Sequence, residues 1–240
     1  MTISAIERSP QRYARLAGVM YLAIILLGMF GELYVRASFI VPGDASATAL
    51  AIAASPLLWR AGIVGDLLMH VLDVPVILIL YVLLKPVNKS LALLATLVNL
   101  VQTAVLALNK LTLLVPLFLL GDGVYLKAFS AEQLHALSLL AIEAHAHGFG
   151  IGLIFFGVAC LVRGVLIWQS GFWPKALGAL IFFAGLSYLV NSFALLLAPS
   201  LAAAIVPGVL VPAFVGELAF SLWLIFKGVD TARWRQRVGS

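Results

Sequence analysis

The chain has 240 residues, 63% of them hydrophobic and 10% charged, with 15 Lys and Arg against 10 Asp and Glu. A soluble domain runs near about 45–50% apolar and about 25% charged, because polar side chains must cover the core that it buries. This composition excludes a water-soluble globular fold; the solvent is lipid, and at about 20 residues per helical crossing six crossings use about half of the chain.

Taken in chain order, Arg8, Arg12 and Arg15 precede an apolar run read as a first span near 15 to 36. The run passes through Glu32 to Arg36 without a small-x-small cleavage site, which predicts a retained helix, not a signal peptide. Pro42-Gly43-Asp44 ends the first connection, and a second span follows near 57 to 84. Lys85-Pro86-Val87-Asn88-Lys89 is a tight polar turn before a third span near 91 to 115, and Gly121-Asp122-Gly123 opens the next connection. Ser130 and Gln133 have capping-box spacing, so the fourth helix is expected to start at Ala131, with a span near 132 to 162. Gly171 to Pro174 and Ala198-Pro199-Ser200 bound a fifth span near 174 to 197, and a sixth lies near 207 to 227. No soluble domain, low-complexity tract or internal repeat interrupts this pattern, so residues 1–240 read as one all-α, polytopic bundle of six transmembrane helices.

Orientation follows from the basic residues, which the insertion machinery leaves on the cytoplasmic side. Arg8, Arg12 and Arg15, then Lys85 and Lys89, then Arg163 and Lys175, then Lys227, Arg233, Arg235 and Arg237 fall at alternate ends of the spans. The opposite connections hold only Arg36, Arg60 and Lys127 near their ends. Both termini are therefore expected in the cytoplasm, with Trp168, Trp173 and Trp234 as inner interfacial aromatics and Tyr34 and Trp59 as outer ones. Because the basic residues sit at span ends and not on one patch, the net charge of +5 does not signal nucleic acid; the expected partner is the bilayer. Cys160 is the only cysteine and reads as an inert buried thiol.

With the spans placed, several stretches carry a resemblance: Arg15-Leu-Ala-Gly-Val-Met-Tyr-Leu22, Gly31-Glu-Leu-Tyr-Val-Arg36, Asp66-Leu-Leu-Met-His-Val-Leu-Asp73, Tyr81-Val-Leu-Leu-Lys-Pro-Val-Asn88 and Pro212-Ala-Phe-Val-Gly-Glu-Leu218. In that order, and over roughly residues 12 to 229, the chain resembles the domain of unknown function 4386 family of bacterial multi-pass membrane proteins. The resemblance implies a multi-pass protein of a bacterial cytoplasmic membrane and no particular chemistry.

Ionisable groups in hydrocarbon cost about 2.5–3.5 kcal/mol each on insertion scales, so those at mid-span ask for a reason. Helical spacing sorts them into faces: Asp66, His70 and Asp73 form one stripe on the second span, and Asn99, Gln102 and Asn109 another on the third. Glu143 pairs with His147, while His145 points elsewhere; Ser187 pairs with Asn191 and Glu217 with Ser221. Counting about 1.5 Å per residue from the cytoplasmic charges puts Asp66, Glu143 and Asn109 at about 28 to 30 Å, Asp73 near about 18 Å and Glu217 near about 15 Å. The simplest arrangement is an outward-facing polar cavity that binds a small ligand or cation, lined by Glu32, Asp66, His70, Asp73, Gln102, Asn191 and Glu217. Asp73 and Glu217 are too deep to snorkel, so each is expected to be protonated and hydrogen-bonded or to face water or a cation. Lys110 has two readings, an outward snorkel or a carboxylate partner, and Gly148 and Gly152 read as a helix-packing pair.

Three functional readings stay open on these residues. One is a proton-linked carrier or small-ligand binder, in which Asp73, Glu217 and His70 exchange protons; six spans without a repeat are small for a transporter, which makes a homo-oligomer compatible with it. Another is a membrane-embedded metal-dependent enzyme with a divalent ion on His70, His147, Asp66 and Glu143, although those i, i+4 pairs depart from the Glu-x-x-His spacing of dimetal bundles. The third is a structural or partner-binding bundle whose polar residues lock helices together.

Overall fold

The computed structural model describes residues 2–239 and is helical throughout, with no strand among them. Six helices are long and apolar enough to span a membrane: Pro10–Phe39, Pro56–Leu84, Lys89–Leu119, Ala131–Ser170, Lys175–Leu197 and Gly208–Phe226, called here the first to the sixth. The first, second and sixth open on proline near the start, where the missing N–H has no helical partner to lose. Asn88 caps the third through its side chain on Leu91 N, and Ser130 with Gln133 forms the expected capping box at the head of the fourth.

The fourth helix is the one that departs from expectation. It runs on past residue 162 to Ser170, where Gly171 turns the chain with φ of 75°. Arg163 therefore lies inside a helix and inside the bundle, only 6% exposed, and does not belong to a basic connection.

Close backbone approach holds the bundle together. A Cβ on Gly164 would lie 2.7 Å from Phe182 N and one on Gly178 2.6 Å from Trp168 N, so the fourth and fifth helices meet through glycine. Gly18 brings the first helix onto Ser221 and Leu224 of the sixth, and Gly152 admits the Leu106 side chain of the third.

Two apolar cores bracket the polar residues. At the end where the short helices Ile3–Arg8 and Thr231–Val238 lie, called the terminal end, Tyr21, Phe172, Trp173, Phe220, Leu224 and Trp234 pack together. At the far end Val35, Phe39, Trp59, Ile63, Leu113 and Ile142 form a second core. Trp59, Trp173 and Trp234 are buried, each donating its indole N–H to a backbone carbonyl, of Leu113, Gly228 and Leu83 respectively, at 2.8 to 2.9 Å. They tie helices together inside the protein and do not sit at an interface with lipid; Trp168 and Tyr34 are exposed as expected.

The two terminal segments close the terminal end jointly. Gln11 donates to Lys227 O at 2.9 Å and accepts from Val229 N at 2.8 Å, while Lys85 pairs with Glu7 at 2.6 Å. Arg233 and Arg237 donate to the carbonyls of Gly171 and Gln169. The carbonyls at the end of the fourth helix thus find cationic donors.

Candidate functional site

Between the two apolar cores the polar side chains form two linked groups. The first lies toward the far end and is an ion cluster. Asp66 Oδ2 is 2.7 Å from Arg36 Nη1 and 2.9 Å from Lys110 Nζ, with all three side chains buried. Arg36 also reaches Glu32 at 2.7 Å, and Lys110 sits 5.5 Å from the Phe149 ring centroid. Local backbone makes this contact: the first helix widens to π-type turns over Phe30–Arg36, and Gly31 leaves room for the Asp66 carboxylate, which a Cβ would strike. Lys110 thus takes a carboxylate partner and does not snorkel. The second oxygen of Asp66 and Nε2 of His70 are buried without a hydrogen-bond partner.

The second group lies nearer the terminal end. Asp73 Oδ2 accepts from Asn99 Nδ2 at 3.0 Å and from the Thr103 hydroxyl, and Asn99 also donates to Gln102 Oε1 at 2.7 Å. The third helix, through its expected polar stripe, holds Asp73. Across the bundle the Tyr188 hydroxyl donates to Glu217.

A cavity of about 310 Å³ lies beside these groups, and all six spanning helices line it. Its polar lining includes Tyr21, His70, Asp73, Gln102, Arg163, Tyr188 and Glu217; the rest is mostly apolar, with Ile24, Met69, Leu106, Phe149, Leu153 and Phe156 among its walls. Glu32, Met29, Leu33 and Phe214 form an exposed rim between the first and sixth helices. Toward the terminal end Phe220 packs edge-on to Tyr21, which lines the cavity, and to Trp173.

Of the seven residues expected to line one cavity, Glu32, His70, Asp73, Gln102 and Glu217 do so. Asp66 stands outside it in the ion cluster, and Asn191, half-buried on the fifth helix, is not part of the lining.

The four residues expected to share a metal are not brought together. Glu143 and His147 are exposed, His147 Nδ1 lying 2.9 Å from Glu143 O on their own helix. Asp66 is taken by two cations that would repel a third. Among the described residues no three His, Cys, Asp or Glu side chains are placed to hold a metal ion. The inward face of the fourth helix is the one with Ile142 and His145. His145 is structural, with Asn109 Nδ2 2.9 Å from both its Nδ1 and its carbonyl.

Arg163, Tyr21 and Tyr188 are the site residues that the sequence reading passed over. The signal for Arg163 was present: it lies about five full turns beyond His145, so it falls on the same helix face.

This arrangement defines a multi-pass membrane protein with an internal chamber, polar on one side and apolar on the other. The chain belongs to the DUF4386 family, a domain of unknown function, whose model matches residues 16–228. It is similar to an uncharacterized protein of Archaeoglobus fulgidus, 33% identical over 168 residues that cover 69% of this chain and 83% of the relative. No solved structure matches the chain.

Proposed function

We propose that the chamber binds a small amphiphilic molecule within the bilayer and that its occupancy is coupled to proton exchange at Asp73 and Glu217, as in a carrier. The observation that carries the reading is the chamber itself, about 310 Å³ in volume and lined from all six helices, which is the size and the largely apolar chemistry of small-molecule sites. Proton exchange is supported by the partners of the two carboxyl groups. Thr103, Asn99 and Tyr188 are neutral donors, so Asp73 and Glu217 can change charge without breaking an ion pair, whereas Asp66 cannot. With the basic terminal end toward the cytoplasm of a bacterial cell, the rim at Met29, Leu33 and Phe214 faces the outer half of the cytoplasmic membrane.

The test is equilibrium binding of octanol, octanoate and octylamine to the purified chain in phosphatidylcholine nanodiscs, compared with Ala213→Phe. Ala213 is buried against the chamber, so phenylalanine there fills it. Saturable binding of at least one probe, lost in a folded Ala213→Phe, is expected; partitioning identical to empty nanodiscs for all three ends the reading.

A further inference from the structure

Arg163 is 94% buried by its 6% exposure, lines the chamber, and has no hydrogen-bond or ion-pair partner among the described residues. Its guanidinium nitrogens are not among the fully enclosed polar atoms, so its N–H donors open onto the chamber, where five donors and a fixed charge call for an acceptor. The other two buried cations, Arg36 and Lys110, both sit on Asp66 toward the far end. Asp73 and Glu217 face the same space and feel the charge of Arg163, but their hydrogen bonds go to Thr103, Asn99 and Tyr188.

The direction of the side chain has a backbone cause. Helical side chains lean toward their own N-terminus, and for the fourth helix that is the far end, away from the water beyond Ser170. Arg163 stands about 10 Å from Ser170 at the C-terminus of its helix, so an arginine leaning that way would have reached the surface. The helix instead delivers it into the chamber, beneath an apolar shaft formed by Ile24, Met69, Leu106, Phe149, Leu153 and Phe156.

Resting on the chamber reading above, we propose that Arg163 anchors an anionic group, a carboxylate or similar oxyanion, at the head of a single-chain amphiphile whose apolar tail runs along the shaft toward Met29 and Phe214. A planar guanidinium with free donors matches an oxyanion in two-pronged geometry, and an apolar tail replaces water along walls that offer it few partners.

The experiment measures the same three probes, octanoate, octanol and octylamine, in phosphatidylcholine nanodiscs with the wild-type chain, Arg163→Gln and Arg163→Lys. Octanoate is expected to bind at least tenfold more tightly than the other two. Arg163→Gln erases that preference while binding of octanol persists, and Arg163→Lys keeps part of it. Should Arg163→Gln fail to fold, the wild-type ranking and the Arg163→Lys value still decide. Equal or tighter binding of octanol or octylamine, or an octanoate preference unchanged in Arg163→Gln, overturns the anion anchor and leaves the chamber standing. Silence from all three probes removes the chamber reading itself, and the anchor with it.

Discussion

Arg36 Nη1 lies 2.7 Å from Asp66 Oδ2, a buried ion pair that joins the first helix to the second, and Lys110 Nζ reaches the same oxygen from the third at 2.9 Å. One carboxylate thus serves three helices. Removing it would leave two cations facing each other in a region without water, and breaking a buried pair in that way costs about 3–5 kcal/mol. Asp66→Ala should therefore lower the thermal unfolding temperature in detergent strongly, and the Asp66→Leu/Lys110→Met double variant should recover much of the loss. A silent Asp66→Ala would show that the pair contributes little.

Asp73 answers differently. Both of its described partners donate to Oδ2, so an asparagine whose carbonyl oxygen takes that place keeps both hydrogen bonds. Asp73→Asn should change stability by less than about 1 kcal/mol, the scale of one neutral hydrogen bond. In liposomes with an imposed proton gradient it should nevertheless abolish any gradient-driven octanoate uptake. Uptake that keeps its full response to the gradient in this variant would remove Asp73 from the proton path.

The Tyr188 hydroxyl donates to Glu217, a second acid–hydroxyl contact on the chamber wall. A double-mutant cycle of Glu217→Gln and Tyr188→Phe, read by thermal unfolding, should return a coupling of about 1 kcal/mol or more. Additive effects would mean that the two side chains stabilise the bundle independently.

The glycine seam gives a test of the helix packing. A Cβ at Gly164 would sit within 2.8 Å of the Phe182 and Gly178 backbones, which have no rotamer by which to withdraw. Gly164→Ala should cost about 1–3 kcal/mol by overpacking, whereas alanine at Gly171, where space is open, is penalised through its positive φ alone. Equal tolerance of alanine and leucine at Gly164 in unfolding experiments would contradict the close approach.

Much of this was legible in advance, for reasons that also explain the gaps. The six spans emerge from hydropathy because a lipid solvent demands long apolar helices with satisfied backbones, and the turn at Pro86 or the cap at Ser130 marks their ends chemically. The same solvent hides which face of a helix is inward, since lipid and protein interior are both apolar. Spacing showed that Glu143 and His147 share a face, but nothing local said that the face looks outward, with His145 on the buried side. Arg163 read as the end of a span because charge usually marks one; here the helix continues, and the charge is internal. The three buried tryptophans misread as interfacial have the same cause, since an indole satisfied by a carbonyl distant in the chain leaves no trace in its own neighbourhood.

The most direct measurement is an anomalous-scattering map of crystals soaked with ω-bromo-octanoate, in which the bromine marks the tail and the ordered density marks the head. The chamber account predicts a bromine peak inside the rim formed by Met29, Leu33 and Phe214, with the carboxylate at Arg163. A bromine found only on the outer, lipid-facing surface of the bundle, with the chamber empty, would contradict it.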